Sequence, residues 1–517
     1  MAIISAENIR YENARGVLFK DVSLYVNKDD KIGVVGNNGS GKTTLIKCLV
    51  GKLELNGGNI NMKKGTKIGY VEQGIPKELE SETFYDVLRL SMLEEERDCS
   101  TYRVDMALEA LGAPKSIWQL ELGKLSGGWK KLALVSKTYL KNPDILILDE
   151  PTNHLDLSKA MHLERWLREI VYDIPYIIIS HDREFLDNCT NKTIVLRNGI
   201  VCSFKHSYTD SMKLLAEQDR SDEKKRKIQE KEVDRLSKTA KDFKQKGQAH
   251  GSERLARVAK TIESRIDRIE NELVDIYKED ERSIGLGENE VDYNRPILKI
   301  SNLDVKTPDD RFLFNVDSLE ISKGERIVIL GLNGTGKSLL VKQLMETYRN
   351  LKAGLQTSKK HEIIFNPRVE IGYIDQNLSL LPDEKSLRSF MQEEFSLDVT
   401  STISSLVNIG FRFERQDTPV KDLSFGEKVR LTFLKLRHQK PNMYLMDEPT
   451  SHLDIDGQLK LKEAILSNDN PCIFVSHDRR FLREIANRYY MIDEIRKKLK
   501  LIDSPDIFFE KLLGNVE

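Results

Sequence analysis

Two segments of the chain carry glycines, a lysine and a hydroxyl group at the same spacing. Residues 36–43 are Gly-Asn-Asn-Gly-Ser-Gly-Lys-Thr, and residues 331–338 are Gly-Leu-Asn-Gly-Thr-Gly-Lys-Ser. Each segment follows an apolar run, the strand–loop–helix context of a loop whose backbone N–H groups surround phosphates. In such a loop the lysine reaches the β- and γ-phosphates and the hydroxyl binds Mg²⁺. The predicted ATP-binding residues of the two loops are Gly36, Asn37, Gly39, Gly41, Lys42, Thr43, Thr44, Gly331, Asn333, Gly334, Gly336, Lys337 and Ser338.

An acidic pair ends an apolar run in each half of the chain. Asp149-Glu150 follows residues 145–148, and Asp447-Glu448 follows residues 444–446. Ligands bind at the carboxyl ends of buried parallel strands. The first carboxylate is therefore placed to hold Mg²⁺ through water, and the second to act as general base on the attacking water. These residues predict an ATPase that uses ATP and Mg²⁺.

The sequence elements that carry these residues occur twice along the chain. Leu-Ser-Gly-Gly at 125–128 recurs as Leu-Ser-Phe-Gly at 423–426, and Ser-His-Asp-Arg at 180–183 recurs at 476–479, so all repeated motifs lie 295 to 298 residues apart. A period this long indicates a duplicated domain. Apolar runs at 145–148, 177–179 and 327–330 are typical of buried parallel strands and are far shorter than the ~20 residues that cross a bilayer. The predicted fold class is α/β, with domains at 1–210 and 293–517.

A different segment, predicted at 211–292, lies between the copies. It has no proline from 211 to 282, and its second half has apolar residues three or four positions apart, which indicates the seam of an amphipathic helix. The seam residues are Leu255, Val258, Ile262, Ile266, Ile269, Leu273 and Ile276, with a weaker set at Ile228, Val233, Leu236, Ala240 and Phe243. Gly247 and Gly251 interrupt the two patterns as a turn would require. We predict a helical hairpin with its tip near 244–253; the alternative is a spacer, which would not need a regular seam.

Both copies resemble the nucleotide-binding cassettes of ABC ATPases. The resemblance implies that Gln73 and Gln376 touch Mg²⁺ and the attacking water, and that His181 and His477 contact the γ-phosphate. It also implies that each signature loop completes the site of the opposite cassette, so that two ATP molecules close an intramolecular cassette dimer of a monomeric chain and hydrolysis reopens it. The signature residues concerned are Ser126, Gly127, Gly128, Ser424 and Gly426. The implied magnesium set is Thr43, Gln73, Asp149, Ser338, Gln376 and Asp447.

The two copies differ in ways that predict unequal sites. Phe425 stands where the first signature has a glycine, at a place where backbone is expected to approach phosphate closely, and the site affected is that of Lys42. Tyr11 lies where the family has an aromatic residue against adenine. The equivalent residues of the second copy, 302–305, include no aromatic residue. Phe312 or Phe314 is the candidate to contact adenine in their place. Because both Glu150 and Glu448 are present, we expect two hydrolytic sites of unequal strength.

Two cassettes joined by a charged hairpin, without a membrane-spanning run, resemble the ABC-F family, as does Trp129 after the first Ser-Gly-Gly. The resemblance implies an ATPase that binds the ribosome at the tRNA exit site, with the hairpin reaching toward peptidyl-tRNA and the peptidyl-transferase centre. Such proteins modulate translation or relieve stalled or antibiotic-blocked ribosomes. The short hairpin tip favours a housekeeping or stress-linked factor over a drug-resistance protein.

The charge of the predicted hairpin also favours the ribosome as partner, independently of the family resemblance. The whole chain has a net charge of -1, whereas residues 224–260 contain thirteen Lys/Arg against five Asp/Glu, a net of +8. A basic rod suits the phosphate backbone of structured RNA, here ribosomal RNA and tRNA; the alternative is that exposed helices are simply rich in lysine. The predicted RNA-binding residues are Lys238, Lys241, Lys244, Lys246, Arg254 and Arg257.

Two other classes of function stay open from the sequence. One is the ATPase subunit of a membrane transporter, for which a basic hairpin between the cassettes has no use. The other is a DNA-associated ATPase, which the absence of a long coiled coil after His477 weakens. Five scattered cysteines without a CxxC pair, and an amino terminus without a secretory signal, indicate a cytoplasmic protein. The resemblance to the ABC-F family implies no membrane partner and no dedicated transmembrane subunit.

Overall fold

The structure is a computed structural model in which two units are distinguished. Met1–Ser203 with Glu281–Glu517 form one unit, and Phe204–Asp280 form the other. The structure describes residues 2–13, 16–71, 77–92, 94, 101–153, 155–249, 253–273, 286, 296–355, 362–376, 378, 380–451 and 453–514. The predicted boundary at 210/211 stays a prediction, and the one at 292/293 lies outside the described residues.

The first cassette contains nine strands and seven helices among its described residues. In chain order they are β1 Ala2–Asn13, β2 Gly16–Asn27, β3 Lys31–Val35, α1 Lys42–Leu49, β4 Gly57–Met62, β5 Ile68–Val71, α2 Phe84–Ser91, α3 Tyr102–Ala110, α4 Lys115–Trp118, α5 Gly127–Tyr139, β6 Ile145–Asp149, α6 Leu157–Glu169, β7 Tyr176–Ile179, α7 Arg183–Cys189, β8 Lys192–Arg197 and β9 Ile200–Phe204.

A sheet in the order β5-β6-β7-β3-β8-β9 holds the chemistry of this cassette. Strands β5, β6, β7, β3 and β8 pair in parallel, with Ile147 opposite Ile177 and Gly33 opposite Ile178. Every residue of β6 is buried, as expected for a parallel strand covered on both faces. A separate antiparallel sheet, in the order β2-β1-β4, packs its apolar face into the same core.

The second unit is a helical hairpin of α8, Tyr208–Ala249, and α9, Glu253–Asn271. Leu236, Ala240 and Ala259 are its buried apolar contacts. Two predictions were wrong in detail: Ile228 is 65% exposed, and Val258 is exposed while its neighbour Ala259 is buried. Gly247 does not break the helix, because α8 continues to Ala249. Gly251 and Ile276 lie outside the described residues.

The second cassette repeats the element order of the first. Its elements are β10 Leu298–Lys306, β11 Phe312–Ile321, β12 Arg326–Leu330, α10 Lys337–Lys352, β13 Ile363–Phe365, β14 Ile371–Ile374, α11 Leu387–Phe395, α12 Val399–Asn408, α13 Phe425–Gln439, β15 Met443–Asp447, α14 Ile455–Leu466, β16 Cys472–Val475, α15 Arg479–Ile485, β17 Arg488–Asp493, β18 Lys498–Ile502 and α16 Asp506–Leu512.

The strand order confirms the predicted duplication. The run β14-β15-β16-β12-β17-β18 matches β5-β6-β7-β3-β8-β9 position by position, and β11, β10 and β13 extend it to nine strands. The fold class is therefore α/β with two tandem P-loop cassettes and a helical hairpin, as predicted. Over the part of the chain that the structure describes, none of the helices has the length and apolar character needed to span a bilayer.

Candidate nucleotide-binding sites

Each phosphate-binding loop lies between a buried strand and a helix that begins at the loop lysine. Gly41 and Gly336 cap α1 and α10 at φ 100° and 102°, a left-handed conformation that favours glycine. A Cβ on Gly336 would also lie 2.7 Å from the Leu313 side chain. The free N–H groups of the helix start, together with the helix dipole, form a site for phosphate.

The loop lysines are held by the loops themselves. Lys42 Nζ donates to the carbonyls of Gly36 at 2.8 Å and Asn37 at 3.1 Å. Lys337 Nζ donates to the carbonyls of Gly331 at 2.8 Å and Leu332 at 2.9 Å. Both ammonium groups therefore sit at the loop where phosphates would bind.

The hydroxyl and carboxylate predicted to hold magnesium lie together in each cassette. Thr43 Oγ1 is 3.4 Å from Asp149 Oδ1, and Ser338 Oγ is 3.0 Å from Asp447 Oδ1. Asp149 Oδ2 is buried and has no hydrogen-bond partner among the described residues, so its acceptor capacity is available to a cation or its water. No cluster of three or more protein ligands occurs within the described ranges.

The candidate bases have the same geometry in both cassettes. Glu150 and Glu448 have left-handed backbones, with φ 47° and 53°, and such strain is concentrated at functional sites. Their N–H groups donate to Ile179 O at 3.0 Å and Val475 O at 2.9 Å. Glu150 Oε1 lies 3.2 Å from His181 Nε2, and Glu448 Oε1 lies 3.5 Å from His477 Nε2.

Burial sets the protonation of these groups. Desolvation raises the pKa of Glu150 and of Glu448 to about 8, and it lowers the pKa of His181 and of His477 to about 4. The histidines are therefore neutral at pH 7. Each glutamate exchanges its proton near neutrality, where a general base is most effective.

One cavity of about 1260 Å³ brings together most of the predicted residues of both cassettes. Its lining includes Gly39, Gly41, Lys42, Thr43, Thr44, Glu150, His181, Asn333, Gly334, Gly336, Lys337, Ser338, Gln376, Gly426, Glu448 and His477. Phe425, of the second signature, also lines the cavity. Ser126, Gly127 and Gly128, which the structure does describe, are not part of this lining. Gln73 lies outside the described residues.

The signatures differ in how their helices begin. Ser126 is the N-cap of α5 without a side-chain capping bond, whereas Ser424 caps α13 in a capping box with Glu427. Ser424 Oγ is 2.9 Å from Glu427 Oε2, which also accepts from the Ser424 N–H at 2.9 Å. Phe425 packs partly buried against the core of the second cassette.

The aromatic candidates for adenine are placed unequally. Tyr11 stacks on Phe19, with ring centroids 6.0 Å apart. Phe314 is fully buried, so the alternative in which it contacts adenine is wrong. Phe312 is 37% exposed and is the aromatic side chain of the pair that a ligand can reach.

Contacts between the cassettes involve two residues to which the sequence analysis assigned no role. The Asn38 N–H donates to Asp454 Oδ2 at 2.8 Å, joining the first phosphate-binding loop to the second cassette. Its counterpart Asp156 is paired instead with Lys159 of its own helix, and Gly457 stands at the position of that lysine. Residues 154–156 and 452–454 both read His-Leu-Asp, and this recurrence is the signal in the sequence for the two aspartates.

A buried ion-pair network joins α6 and α7 to α15. Arg479 lies 2.6 Å from Glu164 and 3.4 Å from Glu184, and is 5% exposed. Arg480 lies 3.2 Å from Asp187, and Arg483 lies 2.5 Å from Glu184. The arginine of the repeated Ser-His-Asp-Arg motif thus belongs to the surface where the cassettes meet.

The hairpin presents its basic residues to solvent. Lys238, Lys241, Lys244, Lys246, Arg254 and Arg257 are all exposed. Three are engaged in surface ion pairs: Lys244 with Glu263, Lys246 with Asp242 and Arg257 with Glu253. Surface pairs of this kind contribute about 0–1 kcal/mol, so they leave the side chains able to exchange partners.

Comparison with known proteins agrees with the site geometry. The ABC transporter family matches residues 19–153 and 314–451. ABC transporter F family member 5 of Arabidopsis thaliana is 30% identical over 538 residues, covering 95% of this chain and 75% of the relative. The ribosome protection protein VmlR of Bacillus subtilis is 28% identical over 521 residues, covering 97% and 89%.

Among solved structures, the archaeal ribosome recycling factor aABCE1, in a complex with the ribosomal stalk protein aP1, has a TM-score of 0.62. It is 18% identical, with 98% of this chain and 92% of that chain covered, and this likeness concerns the fold. Two matched cassettes, and a relative named as an F family member that is 30% identical over 95% of this chain, lead to one assignment: the chain is an ATP-hydrolysing protein of the ABC-F family.

Proposed function

We propose that this protein is a cytoplasmic ATPase that binds the ribosome at the tRNA exit site and uses its hairpin to contact ribosomal RNA and tRNA. From that site it modulates translation or relieves stalled or antibiotic-blocked ribosomes. The observation that carries the proposal is the exposed basic surface of the hairpin, with a net charge of +8 over residues 224–260. A relative whose name states ribosome protection supports the same partner.

The ATP cycle follows from the residues of the two sites. Lys42 and Lys337 bind and orient the phosphates, and the loop N–H groups neutralise their charge. Thr43 with Asp149, and Ser338 with Asp447, would hold Mg²⁺, which when bound neutralises charge on the β- and γ-phosphates. Glu150 and Glu448 accept a proton from the attacking water, and His181 and His477 position the γ-phosphate next to them.

Binding and hydrolysis drive the cassettes between two states. ATP between a phosphate-binding loop and the opposite signature favours the closed pair because both surfaces donate N–H groups to the same phosphates. Hydrolysis removes the γ-phosphate that joins them, and the pair opens. In this scheme the ATP-bound state stays on the ribosome and hydrolysis times release.

Trapping the closed state tests the proposal. The Glu150→Gln, Glu448→Gln double variant should sediment with ribosomes when ATP is present and stay soluble without nucleotide. The matched control adds Lys42→Ala and Lys337→Ala, which remove phosphate binding and should abolish the ATP effect. If the trapped variant remains in the soluble fraction with ATP bound, the ribosome proposal is wrong.

The hairpin contact has its own test. Changing Lys241, Lys244, Lys246 and Arg254 to Gln should weaken ribosome binding at least tenfold and lower the salt slope of log K by about 3.6, because each of the four phosphate contacts contributes roughly 0.9. Basal ATPase should be retained. The matched control neutralises Lys20, Lys28, Lys63 and Lys64, exposed lysines of the first cassette. An equal effect in both variants would count against a hairpin contact with RNA.

A further inference from the structure

Lys131 is a buried lysine that the ATP cycle above does not use. It lies on α5, the helix that begins after the first signature, and is 8% exposed. Its Nζ donates to the backbone carbonyl of Asp149 at 3.2 Å. Placing an ammonium group in a protein interior is costly unless hydrogen bonds and opposite charges compensate for lost water. The buried ammonium group of Lys131 therefore needs compensating contacts close to it.

The carbonyl that Lys131 contacts belongs to the peptide that connects Asp149 to Glu150. The other end of that peptide is also fixed, because the Glu150 N–H donates to Ile179 O at 3.0 Å. These two bonds hold the peptide plane at the point where Glu150 adopts φ 47°. A non-glycine residue in this conformation is strained and persists only when its surroundings hold it.

Charged groups converge on Glu150 from several elements. Lys42 approaches from α1, Asp149 from β6 and Lys131 from α5, while His181 lies 3.2 Å away after β7. Lys42 and Lys131 lower the pKa of Glu150, and Asp149 raises it, against the larger effect of burial. The acids in turn compensate Lys131, whose pKa burial lowers and Asp149 and Glu150 raise.

The second cassette shows that the fold does not require this lysine. Val429 occupies the equivalent position on α13, is 4% exposed and carries no charge. Glu448 nevertheless has φ 53° and donates its N–H to Val475 O at 2.9 Å. The lysine is therefore specific to the first cassette, the one whose Lys42 site is predicted to face the signature with Phe425.

We propose that Lys131 is a positioning residue for Glu150, fixing the carboxylate of the base so that the first cassette hydrolyses ATP opposite a signature that contains Phe425. The inference rests on the role proposed above for Glu150. It does not depend on the ribosome, because its test uses the purified chain alone.

The test places Lys131→Met and Lys131→Arg in two backgrounds. In Glu448→Gln only the site of Glu150 has its base, and in Glu150→Gln only the site of Glu448 does. With Glu448→Gln present, Lys131→Met should lower kcat about tenfold with little change in KM. Lys131→Arg should restore most of the rate.

Two controls separate this role from a structural one. Lys131→Met should change kcat less than twofold in the Glu150→Gln background, and Val429→Met should change kcat less than twofold in the Glu448→Gln background. Equal losses of kcat for Lys131→Met in both backgrounds, or a loss that appears in KM and not in kcat, would overturn the inference. A Glu150→Gln variant with full activity would instead refute the proposed role of Glu150.

Discussion

The first and second cassettes share their catalytic geometry and differ in the parts that face each other. Lys42 and Lys337 each lie 2.8 Å from the first carbonyl of their loop, and Glu150 and Glu448 share the same left-handed turn. The signatures, by contrast, differ at Gly127 and Phe425. The two copies thus share the residues that are predicted to act on ATP within one cassette. They differ in the signature residues that are predicted to face the opposite cassette.

Charge on the contacting helices shows the same divergence. Glu164, Glu184 and Asp187 of the first cassette correspond in the repeat to Lys462, Arg480 and Arg483 of the second. The acidic set contacts basic residues across the surface, with Arg480 and Arg483 among them. Two copies of either cassette would place like charges at these positions, so the inversion favours the pairing of unlike cassettes.

The largest effect expected from breaking this complementarity concerns Arg479. Arg479→Met leaves the buried carboxylate of Glu164 opposite an apolar side chain, and an uncompensated buried charge costs about 3–5 kcal/mol. Urea unfolding should show that loss. Glu164→Met added to Arg479→Met should recover part of it, whereas Lys421→Met, which breaks the exposed pair with Glu384, should cost less than about 1 kcal/mol. Equal losses for the buried and exposed pairs would contradict the account.

The pH dependence of kcat tests the general base that the two cassettes have in equivalent positions. With the pKa of both Glu150 and Glu448 near 8, the ionised base becomes more abundant as pH rises, so kcat should rise roughly tenfold per unit below pH 8 and level off above it. The histidines, with pKa values near 4, add no step between pH 6 and 9. A steady-state profile that is flat from pH 6.5 to 8 would show that neither carboxyl is the titrating base.

The smallest expected effect concerns the signature itself. Phe425→Gly in the Glu448→Gln background should raise turnover at the site of Lys42 two- to fivefold, because a glycine allows closer approach of the helix N-terminus to phosphate. The same change in the Glu150→Gln background is the control and should have little effect on kcat. An unaltered rate in the first background would show that Phe425 is tolerated there without a cost to hydrolysis.

The sequence predicted the parts of the fold that depend on local pattern. The phosphate-binding loops, the strands that end in Asp149 and Asp447, and the hairpin all follow from glycine spacing and apolar periodicity. It could not predict the contacts of Asp454 or Arg479, because these join segments more than 300 residues apart. It also misjudged Ile228 and Phe314, since a helical spacing or an aromatic side chain does not reveal which face the tertiary fold buries.

Lys131 shows most clearly what could not be predicted from the sequence alone. In the sequence it is one of two consecutive lysines after Trp129, and exposed lysines are the common case. Only the path of α5 beside β6 brings its ammonium group to the carbonyl of Asp149. The sequence offered one signal, which is the difference between Lys131 and Val429 at equivalent positions. That difference can be interpreted only when the burial of both residues is known.

The inequality of the two sites is the central claim, and comparing single-site variants tests it most directly. Turnover of Glu150→Gln, which leaves the site of Glu448, should be measured beside that of Glu448→Gln, which leaves the site of Glu150. We predict that both variants retain ATPase activity and that Glu150→Gln retains more, because its remaining site uses the signature with Gly127. Equal rates, or complete loss in either variant, would contradict the account.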